Sequence, residues 1–221
     1  MTLKLHFHPL ASFCHKALVA LYEHGLDFEP VVVDLGDPDS REAFAKIWPP
    51  LKFPVLQDGD RGATVAESTI VVEYLDAFHA APGVRLIPAD PDRAWQARLW
   101  DRYFDQYVEL PMQKIVTDAL RPEQGHDPHG VAEARAGLAS AYPFLEARLG
   151  APWATGDDFT LADCSAAPAL FYADTVQPLG PDTPRLAAYL GRLRARPSFA
   201  RVLEEASPYF AMFPLDPKPR I

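Results

Sequence analysis

The chain has 221 residues, of which 48% are hydrophobic and 23% are charged, proportions typical of a folded protein with one large or two small domains. Its formal net charge is −9, which argues against a protein that binds nucleic acid or an anionic membrane surface. No apolar run is long enough to cross a bilayer, and the N-terminus lacks the features of a secretory signal. The 2 cysteines and 7 histidines show neither disulfide nor metal-site spacing, so we expect no metal, reduced thiols and a cytoplasmic protein.

The first half of the chain predicts alternating strands and helices. Apolar and polar residues alternate over residues 3–7, as in a half-buried strand, and an apolar stripe at helical spacing predicts a helix from Ser12 to Gly25. The elements predicted next are a strand at 28–33, a helix at 40–47, a strand from Val55, a type I′ hairpin turn at Asp58-Gly59, a strand at 63–66 and a helix that begins at Ser68.

The second half predicts helices alone, after a segment at 79–92 that is rich in Pro and Gly and is typical of a linker. Thr160 and Asp163 have the spacing of a capping box at a helix N-terminus, with Phe159 placed for a hydrophobic staple. The other predictions are a long helix at 93–118 that Pro111 kinks or breaks, a polar loop at 121–130, and helices at 131–149, 183–196 and 198–206.

A set of chemically suggestive residues surrounds the predicted hairpin. Lys52 lies two residues before Pro54, and the carboxylate of Glu67 and the hydroxyl of Ser68 lie where a helix begins. A helix N-terminus attracts anions, so this pair could hold a ligand that carries both a carboxylate and an ammonium group. The same pair is also compatible with simple helix capping.

The order of these residues resembles the glutathione-binding half of the cytosolic glutathione transferases. The capping box at Thr160 resembles the helical half of the same family, so the chain is similar to bacterial-type members over nearly its full length. The resemblance implies an α/β thioredoxin-like domain at 1–80, a linker at 81–92 and an all-α C-terminal domain at 93–221.

The resemblance also implies the residues that bind glutathione, which would be a co-substrate. The peptide bond before Pro54 would be cis, and the backbone of Val55 would pair with the cysteinyl part of the tripeptide like an added strand. Glu67 and Ser68 would take the γ-glutamyl end, and Lys52 would lie near the glycyl carboxylate.

Activation of the thiol would fall to the segment between the first strand and the first helix, because the thiolate is the nucleophile. Alignment with the family places its usual Ser or Cys on Ala11. Three alternatives therefore stay open: Ser12 donates to the sulfur, Cys14 acts through a mixed disulfide, or backbone N–H groups stabilise the thiolate alone.

The acceptor pocket would involve residues of the helical half. Leu10, Tyr103 and Tyr107 are the main candidates, and Phe104 and Tyr172 are further ones, because ligand pockets are mostly apolar with a few polar groups. Aromatic residues at helical spacing are also common in a core or at a dimer surface.

The sequence thus predicts a glutathione transferase that conjugates the glutathione thiolate to a small hydrophobic electrophile, as in detoxification, and that forms a homodimer. Conjugation, isomerisation, dehalogenation and reduction are not separated at this level. One alternative is a glutathione-dependent disulfide reductase or peroxidase that uses Cys14. The other is a non-catalytic carrier of apolar ligands.

Overall fold

The computed structural model describes residues 3–221. The chain divides into two compact units, a first unit that ends at Leu86 and a second unit that begins at Ile87, so the division lies inside the segment 81–92 assigned above to a linker. Within the described residues, none of the helices combines the length and the apolar character needed to span a membrane.

The first unit is a four-stranded sheet with three helices. The strands lie in the order β2-β1-β3-β4, with β1 parallel to β2 and every other neighbouring pair antiparallel. This arrangement confirms the thioredoxin-like prediction. The elements are β1 (Leu3–Phe7), α1 (Ser12–Glu23), β2 (Glu29–Val32), α2 (Pro38–Ile47), β3 (Val55–Asp58), β4 (Ala63–Ala66) and α3 (Ser68–Phe78).

Local sequence explains most of these boundaries. Leu3 and Leu5 are buried on one face of β1, as their alternation predicts. Helix α1 ends just before Gly25, which takes a left-handed φ of 61° that glycine adopts without steric cost. At the start of α2 the Asp37 carboxylate accepts a hydrogen bond from the backbone N–H of Ser40 at 3.2 Å, a favourable N-cap.

The hairpin between β3 and β4 differs from the predicted type I′ turn at Asp58-Gly59. Asp58 is the last residue of β3, and its carboxylate accepts hydrogen bonds from the backbone N–H groups of Asp60 (3.1 Å) and Arg61 (3.2 Å). The turn occupies residues 59–62, and the left-handed residue is Gly62, with φ of 63°. The prediction was wrong because the Asp58 side chain stabilises a longer turn that ends at a second glycine.

The second unit is helical, as predicted. Helix α7 is buried along nearly its whole length and forms the centre of this unit. The helices are α4 (Pro91–Tyr103), α5 (Leu110–Ala119), α6 (Pro128–Arg148), α7 (Leu161–Val176), α8 (Pro184–Ala195) and α9 (Pro197–Ala206), with a π-helical turn at Phe104–Glu109 and a 3₁₀ turn at Ser207–Met212.

Pro111 marks an irregularity in the long helical segment, as predicted. The chain continues without a break from α4 through the π-helical turn Phe104–Glu109 into α5, and Pro111 lies in the first turn of α5. Proline has no N–H to donate to the carbonyl of Tyr107, four residues earlier, so the wider helical turn comes where the regular hydrogen-bond pattern cannot continue.

The capping box at the start of α7 is confirmed. The Asp163 carboxylate accepts a hydrogen bond from the backbone N–H of Thr160 at 2.8 Å. It also accepts one from the backbone N–H of Ala154 at 2.8 Å and one from the hydroxyl of Tyr189 at 2.6 Å. Phe159 is buried and packs edge-on against Trp153 at a ring-centroid distance of 5.1 Å.

Candidate functional site

Three chain segments of the first unit meet at one end of its sheet. His6 of β1 pairs with Val55 of β3, and Val55 in turn pairs with Ala66 of β4. The turn after β1, the residues before β3 and the start of α3 therefore share one edge. This edge brings together the N-termini of α1 and α3, each of which presents backbone N–H groups and a partial positive charge.

The turn between β1 and α1 leads into an N-terminus that no side chain caps. Ala11 is the N-cap residue, with extended backbone angles (φ −83°, ψ 112°), and the first turn of α1 contains no acidic residue. Ser12 is the first residue of the helix and its side chain is buried, while Leu10 is half-buried. The N–H groups at this helix start suit an anion such as a thiolate.

Cys14 lies deeper in α1 and is fully buried. Burial raises the pKa of its thiol far above the usual value, and a backbone hydrogen bond with His8, which acts in the opposite direction, does not offset it. A thiol that stays protonated is a poor nucleophile. This environment argues against the mixed-disulfide alternative and fits a small apolar residue in a helix core.

The segment before β3 contains the cis peptide bond that the resemblance implies, between Phe53 and Pro54. Lys52 is exposed and Pro54 is buried. Val55 does not fit its predicted role, because β1 and β4 flank it on both sides and leave no room for an added strand. Phe53 lies outside the sheet, and among the described residues no backbone group hydrogen-bonds to its N–H or C=O. An extended peptide could therefore pair with Phe53 instead.

The start of α3 combines an unusual backbone with a buried hydroxyl. Glu67 is exposed and takes φ of 69° and ψ of 121°, a conformation that is strained for a residue with a side chain. Ser68 follows as the first helical residue and is buried. The Lys16 ammonium, on α1, donates to the Thr69 hydroxyl at 2.8 Å and so ties the two helix starts together.

The structure thus brings most predicted glutathione-site residues to one end of the sheet. The exception in position is Cys14, which faces the interior. The members that meet there are Ser12, Lys52, Pro54, Val55, Glu67 and Ser68, and Leu10, which was predicted for the acceptor pocket, lies in the turn beside them. A cation, a carboxylate, hydroxyls and two helix N-termini are suited to a small peptide that carries an ammonium group, carboxylates and a thiol.

The predicted acceptor residues of the second unit form an aromatic stack. The ring of Tyr103 lies 4.8 Å from that of Tyr107 and 4.8 Å from that of Phe144. Burial, followed by the neighbouring Tyr107, raises the pKa of the Tyr103 phenol. Phe104 and Tyr172 are instead almost completely buried in the core of this unit, so the suggestion that they line a pocket is not supported.

Family models match both units of the chain. The model for the glutathione S-transferase N-terminal domain matches residues 5–83, and the model for the glutathione S-transferase C-terminal domain matches residues 128–192. The chain belongs to the glutathione S-transferase family. This membership agrees with the fold of each unit and makes the protein a glutathione transferase.

Relatives of this glutathione transferase cover nearly its whole length. Glutathione S-transferase PARB from Nicotiana tabacum is 27% identical over 212 residues, which are 93% of this chain and 99% of that protein. A solved glutathione S-transferase from Methylobacillus flagellatus with glutathione bound is 27% identical, has a TM-score of 0.81, and covers 90% of this chain and 98% of its own. Another solved glutathione S-transferase, from Methylobacterium radiotolerans in complex with glutathione sulfonate, is 29% identical and has a TM-score of 0.78. The match covers 91% of this chain and 94% of that one.

The sequence did not single out two further residues that lie at this end of the sheet, Phe53 and His8. Phe53 could have been found from the cis proline, because a residue before a strand-opening proline lies outside the ladder. His8 gave no local signal, since its contact is with a ring in a distant part of the chain: its imidazole stacks on Phe53 at a centroid distance of 6.0 Å and an interplanar angle of 19°.

Proposed function

We propose that this transferase joins the sulfur of glutathione to a small hydrophobic electrophile and that the first unit binds the tripeptide. The observation that carries the proposal is the convergence of two helix N-termini with the cis proline at one end of a thioredoxin-like sheet. Relatives with TM-scores of 0.81 and 0.78 hold glutathione and glutathione sulfonate, respectively, which supports the same class of ligand here.

Each part of glutathione has a chemical counterpart at this end of the sheet. The Glu67 carboxylate would pair with the γ-glutamyl ammonium, and the Ser68 hydroxyl with the N–H groups of α3 would bind the adjacent carboxylate. Lys52 would attract the glycyl carboxylate. The cysteinyl peptide group would hydrogen-bond to the backbone of Phe53, which replaces Val55 in that role because Val55 lies within the sheet.

The thiol would be activated at the N-terminus of α1. The Ser12 hydroxyl and the N–H groups of the first turn would stabilise the thiolate, so that its proton leaves to solvent near neutral pH. The thiolate then attacks the electrophile, a carbon–sulfur bond forms, and the leaving group departs with its electron pair. Of the three alternatives for activation, we favour Ser12 and the backbone, because burial raises the pKa of the Cys14 thiol and keeps it protonated.

Binding calorimetry with glutathione tests the first half of this proposal. We expect the wild-type protein to bind glutathione and the double variant Glu67→Ala, Ser68→Ala to lose most of that affinity, because the ammonium and carboxylate lose their partners. Glu42→Ala is the matched control, since Glu42 is exposed on α2 and, among residues 3–221, forms an ion pair with Lys46 four residues away. Equal affinity in all three proteins would contradict the proposed site.

Turnover with a dinitrophenyl halide tests the second half of the proposal, because conjugation releases halide and forms a coloured thioether.

A second candidate function, a carrier of apolar ligands, is favoured by one observation: Ala11 has no hydroxyl at the N-cap of α1. Glutathione binding without any thioether formation, across a panel of electrophiles, would support the carrier over the transferase.

We propose that Leu10, Tyr103 and Tyr107 contact the electrophile and that two copies of the chain form a homodimer in the cytoplasm. Tyr107 is 56% exposed and its ring is stacked on Tyr103, so it offers a flat apolar surface with a hydroxyl at its edge. For the homodimer, the supporting feature is a row of half-exposed apolar residues at helical spacing on α4 and α5: Trp95, Leu99 and Leu110.

A further inference from the structure

His8 occupies the junction between β1 and the turn that leads into α1. Its side chain is half-buried, and its imidazole lies nearly parallel to the ring of Phe53, with the centroids 6.0 Å apart. Phe53 precedes the cis proline and carries the backbone groups that remain available beside β3. One side chain therefore bridges the turn before α1 and the segment before β3.

His8 also organises the turn itself. Its Nδ1 accepts a hydrogen bond from the backbone N–H of Leu10 at 3.2 Å, the two-residue reach that Asp and Asn side chains use in turns. Its backbone carbonyl accepts a hydrogen bond from the N–H of Ala11 at 3.0 Å. Since Nδ1 is an acceptor, this hydrogen bond assigns the ring proton to Nε2.

The surroundings of His8 favour this neutral form. Burial lowers the pKa of the imidazole, and the charge of Asp34 opposes the effect only in part. Two titratable groups of α1 also interact with His8. The Cys14 thiol has a hydrogen bond with the His8 backbone, and burial keeps its pKa raised. His15 donates from Nε2 to the Pro9 carbonyl at 2.6 Å, and burial lowers its pKa to about 4. Two neutral imidazoles thus hold consecutive residues of the same turn.

We propose that His8 is a positioning residue for glutathione, one that fixes the start of α1 relative to the backbone of Phe53. The inference rests on the proposed function. In that function, the start of α1 stabilises the thiolate of the cysteinyl residue of glutathione, and the backbone of Phe53 binds the peptide group of that cysteinyl residue. The side chain and the backbone of that cysteinyl residue are then held by two different segments of the protein. A small shift between the start of α1 and Phe53 therefore weakens binding and misplaces the sulfur.

Two substitutions separate the two contacts of His8. His8→Asn keeps a side-chain acceptor for the Leu10 N–H but removes the stacked ring, whereas His8→Phe keeps a ring against Phe53 but removes the acceptor. Phe53→Leu removes the stack from the other side. His129→Asn is the matched control, since His129 is exposed on α6 in the second unit.

The probe is S-methylglutathione, which has no thiol and no group that titrates between about pH 5 and 7. We expect its affinity for the wild-type protein to fall as the pH drops through the lowered pKa of His8, because a protonated Nδ1 cannot accept from Leu10. His8→Phe should bind about fivefold more weakly at pH 7, the equivalent of one neutral hydrogen bond, and show no such pH dependence. His129→Asn should match the wild type.

A double-mutant cycle tests the stack separately. Phe53→Leu should weaken binding of the probe more in the wild-type background than in His8→Asn, because only the wild type loses the His8 ring contact, whereas the contact of Phe53 with Phe44 is lost in both backgrounds. Equal effects of Phe53→Leu in the two backgrounds would show that the His8 stack does not contribute. If His8→Phe does not fold, as judged by circular dichroism, this cycle decides the question by itself.

The outcomes distinguish this inference from the function on which it rests. Equal affinities and equal pH profiles for wild type, His8→Asn and His8→Phe would overturn the role of His8 while leaving glutathione binding intact. A wild-type protein that does not bind S-methylglutathione at any pH would overturn the proposed function as well.

Discussion

Ser12 and Cys14 lie two residues apart in the first turn of α1, but only one of them has an environment suited to sulfur chemistry. Ser12 is the first helical residue, at the end of the helix that carries partial positive charge. Cys14 is fully buried, and burial raises the pKa of its thiol. Both side chains are buried, so position at the helix N-terminus and electrostatics, more than exposure, distinguish Ser12 from Cys14.

Cys14→Ala should leave glutathione transfer within about twofold of the wild-type rate, because the thiol takes no part. It should lower the free energy of unfolding by about 1–2 kcal/mol, through the small cavity that it leaves. Turnover and urea denaturation measure the two effects. Cys164→Ala is the control, since Cys164 is equally buried in α7. A loss of turnover in Cys14→Ala alone would revive the reductase alternative.

Ala11→Ser should improve the site, because Ala11 has the backbone angles of an N-cap residue without a capping side chain. The new hydroxyl oxygen can accept from a first-turn N–H and stabilise the protein by about 0.5–2 kcal/mol. Its O–H can also donate to the sulfur and lower the pKa of bound glutathione. Ala11→Val, which adds bulk without a hydroxyl, is the control, and an equal response of the two variants would contradict the prediction.

At the scale of elements, a buried carboxylate ties the β3–β4 hairpin to α3. Asp58 is almost fully buried, and it accepts hydrogen bonds from the Tyr74 hydroxyl at 2.9 Å and the imidazole of His79 at 2.7 Å. Although burial favours the protonated acid, these bonds lower the pKa of Asp58 below its ordinary value. The hairpin that leads to Glu67 is thereby held against the helix that Glu67 caps.

Asp58→Asn should lower the free energy of unfolding by about 1–2 kcal/mol at pH 7, since it weakens two side-chain hydrogen bonds. The pKa of Asp58 is lower in the folded protein than in the unfolded chain, where it is 3.8. The ionised carboxylate therefore stabilises the fold above pH 3.8, and this stabilisation is lost as the pH falls through the pKa of the folded protein. Urea denaturation from pH 7 to pH 3 should therefore show that the free energy of unfolding falls less with acidification in the variant than in the wild type. Exposed Asp27 provides the control variant, Asp27→Asn, and an unchanged acid loss in Asp58→Asn would count against the account.

Asp163→Ala should destabilise the second unit more severely, by about 2–4 kcal/mol. The substitution removes the acceptor for the N–H groups of Thr160 and Ala154 and for the Tyr189 hydroxyl, all of them buried. Thermal unfolding followed by circular dichroism measures the loss. Asp157→Ala, at an exposed position a few residues earlier, should be nearly neutral, and similar melting of the two variants would show that the capping box is not important.

Elements that depend on neighbours in sequence were predictable, and those that depend on distant contacts were not. The capping box at Thr160 and the helix start at Ser68 follow from adjacent residues. The hairpin turn was mistaken because the Asp58 side chain selects a longer turn. Val55 was assigned a role that sheet order forbids, because the presence of β1 and β4 on its two sides is not visible in local sequence.

At the scale of the whole molecule, the two units carry different parts of the proposed chemistry. The first unit holds the residues for glutathione, and the second holds the aromatic stack of Tyr103 and Tyr107. Their sequence signals also differ in kind. Ordered motifs in neighbouring residues predict the tripeptide site, whereas Phe104 and Tyr172 could not be distinguished from pocket residues until their burial was seen.

If two copies of the chain form the proposed homodimer, light scattering at micromolar concentration should give a solution mass of twice 24.5 kDa. Leu99→Glu should shift that mass to the single-chain value, because it places a charge among half-exposed apolar residues of α4 that a second copy would cover. Leu120→Glu is the control, since Leu120 is 66% exposed at the end of α5. A wild-type mass of one chain would contradict the homodimer.

The central claim is that the first unit binds glutathione and stabilises its thiolate at the N-terminus of α1. The most direct test is a pH titration of thiolate absorbance for glutathione bound to the wild-type protein, Ser12→Ala and Cys14→Ala. The account predicts a pKa of the bound thiol well below the free value of about 8.5, which rises in Ser12→Ala and stays unchanged in Cys14→Ala. Bound glutathione that keeps its solution pKa in all three proteins would contradict the account.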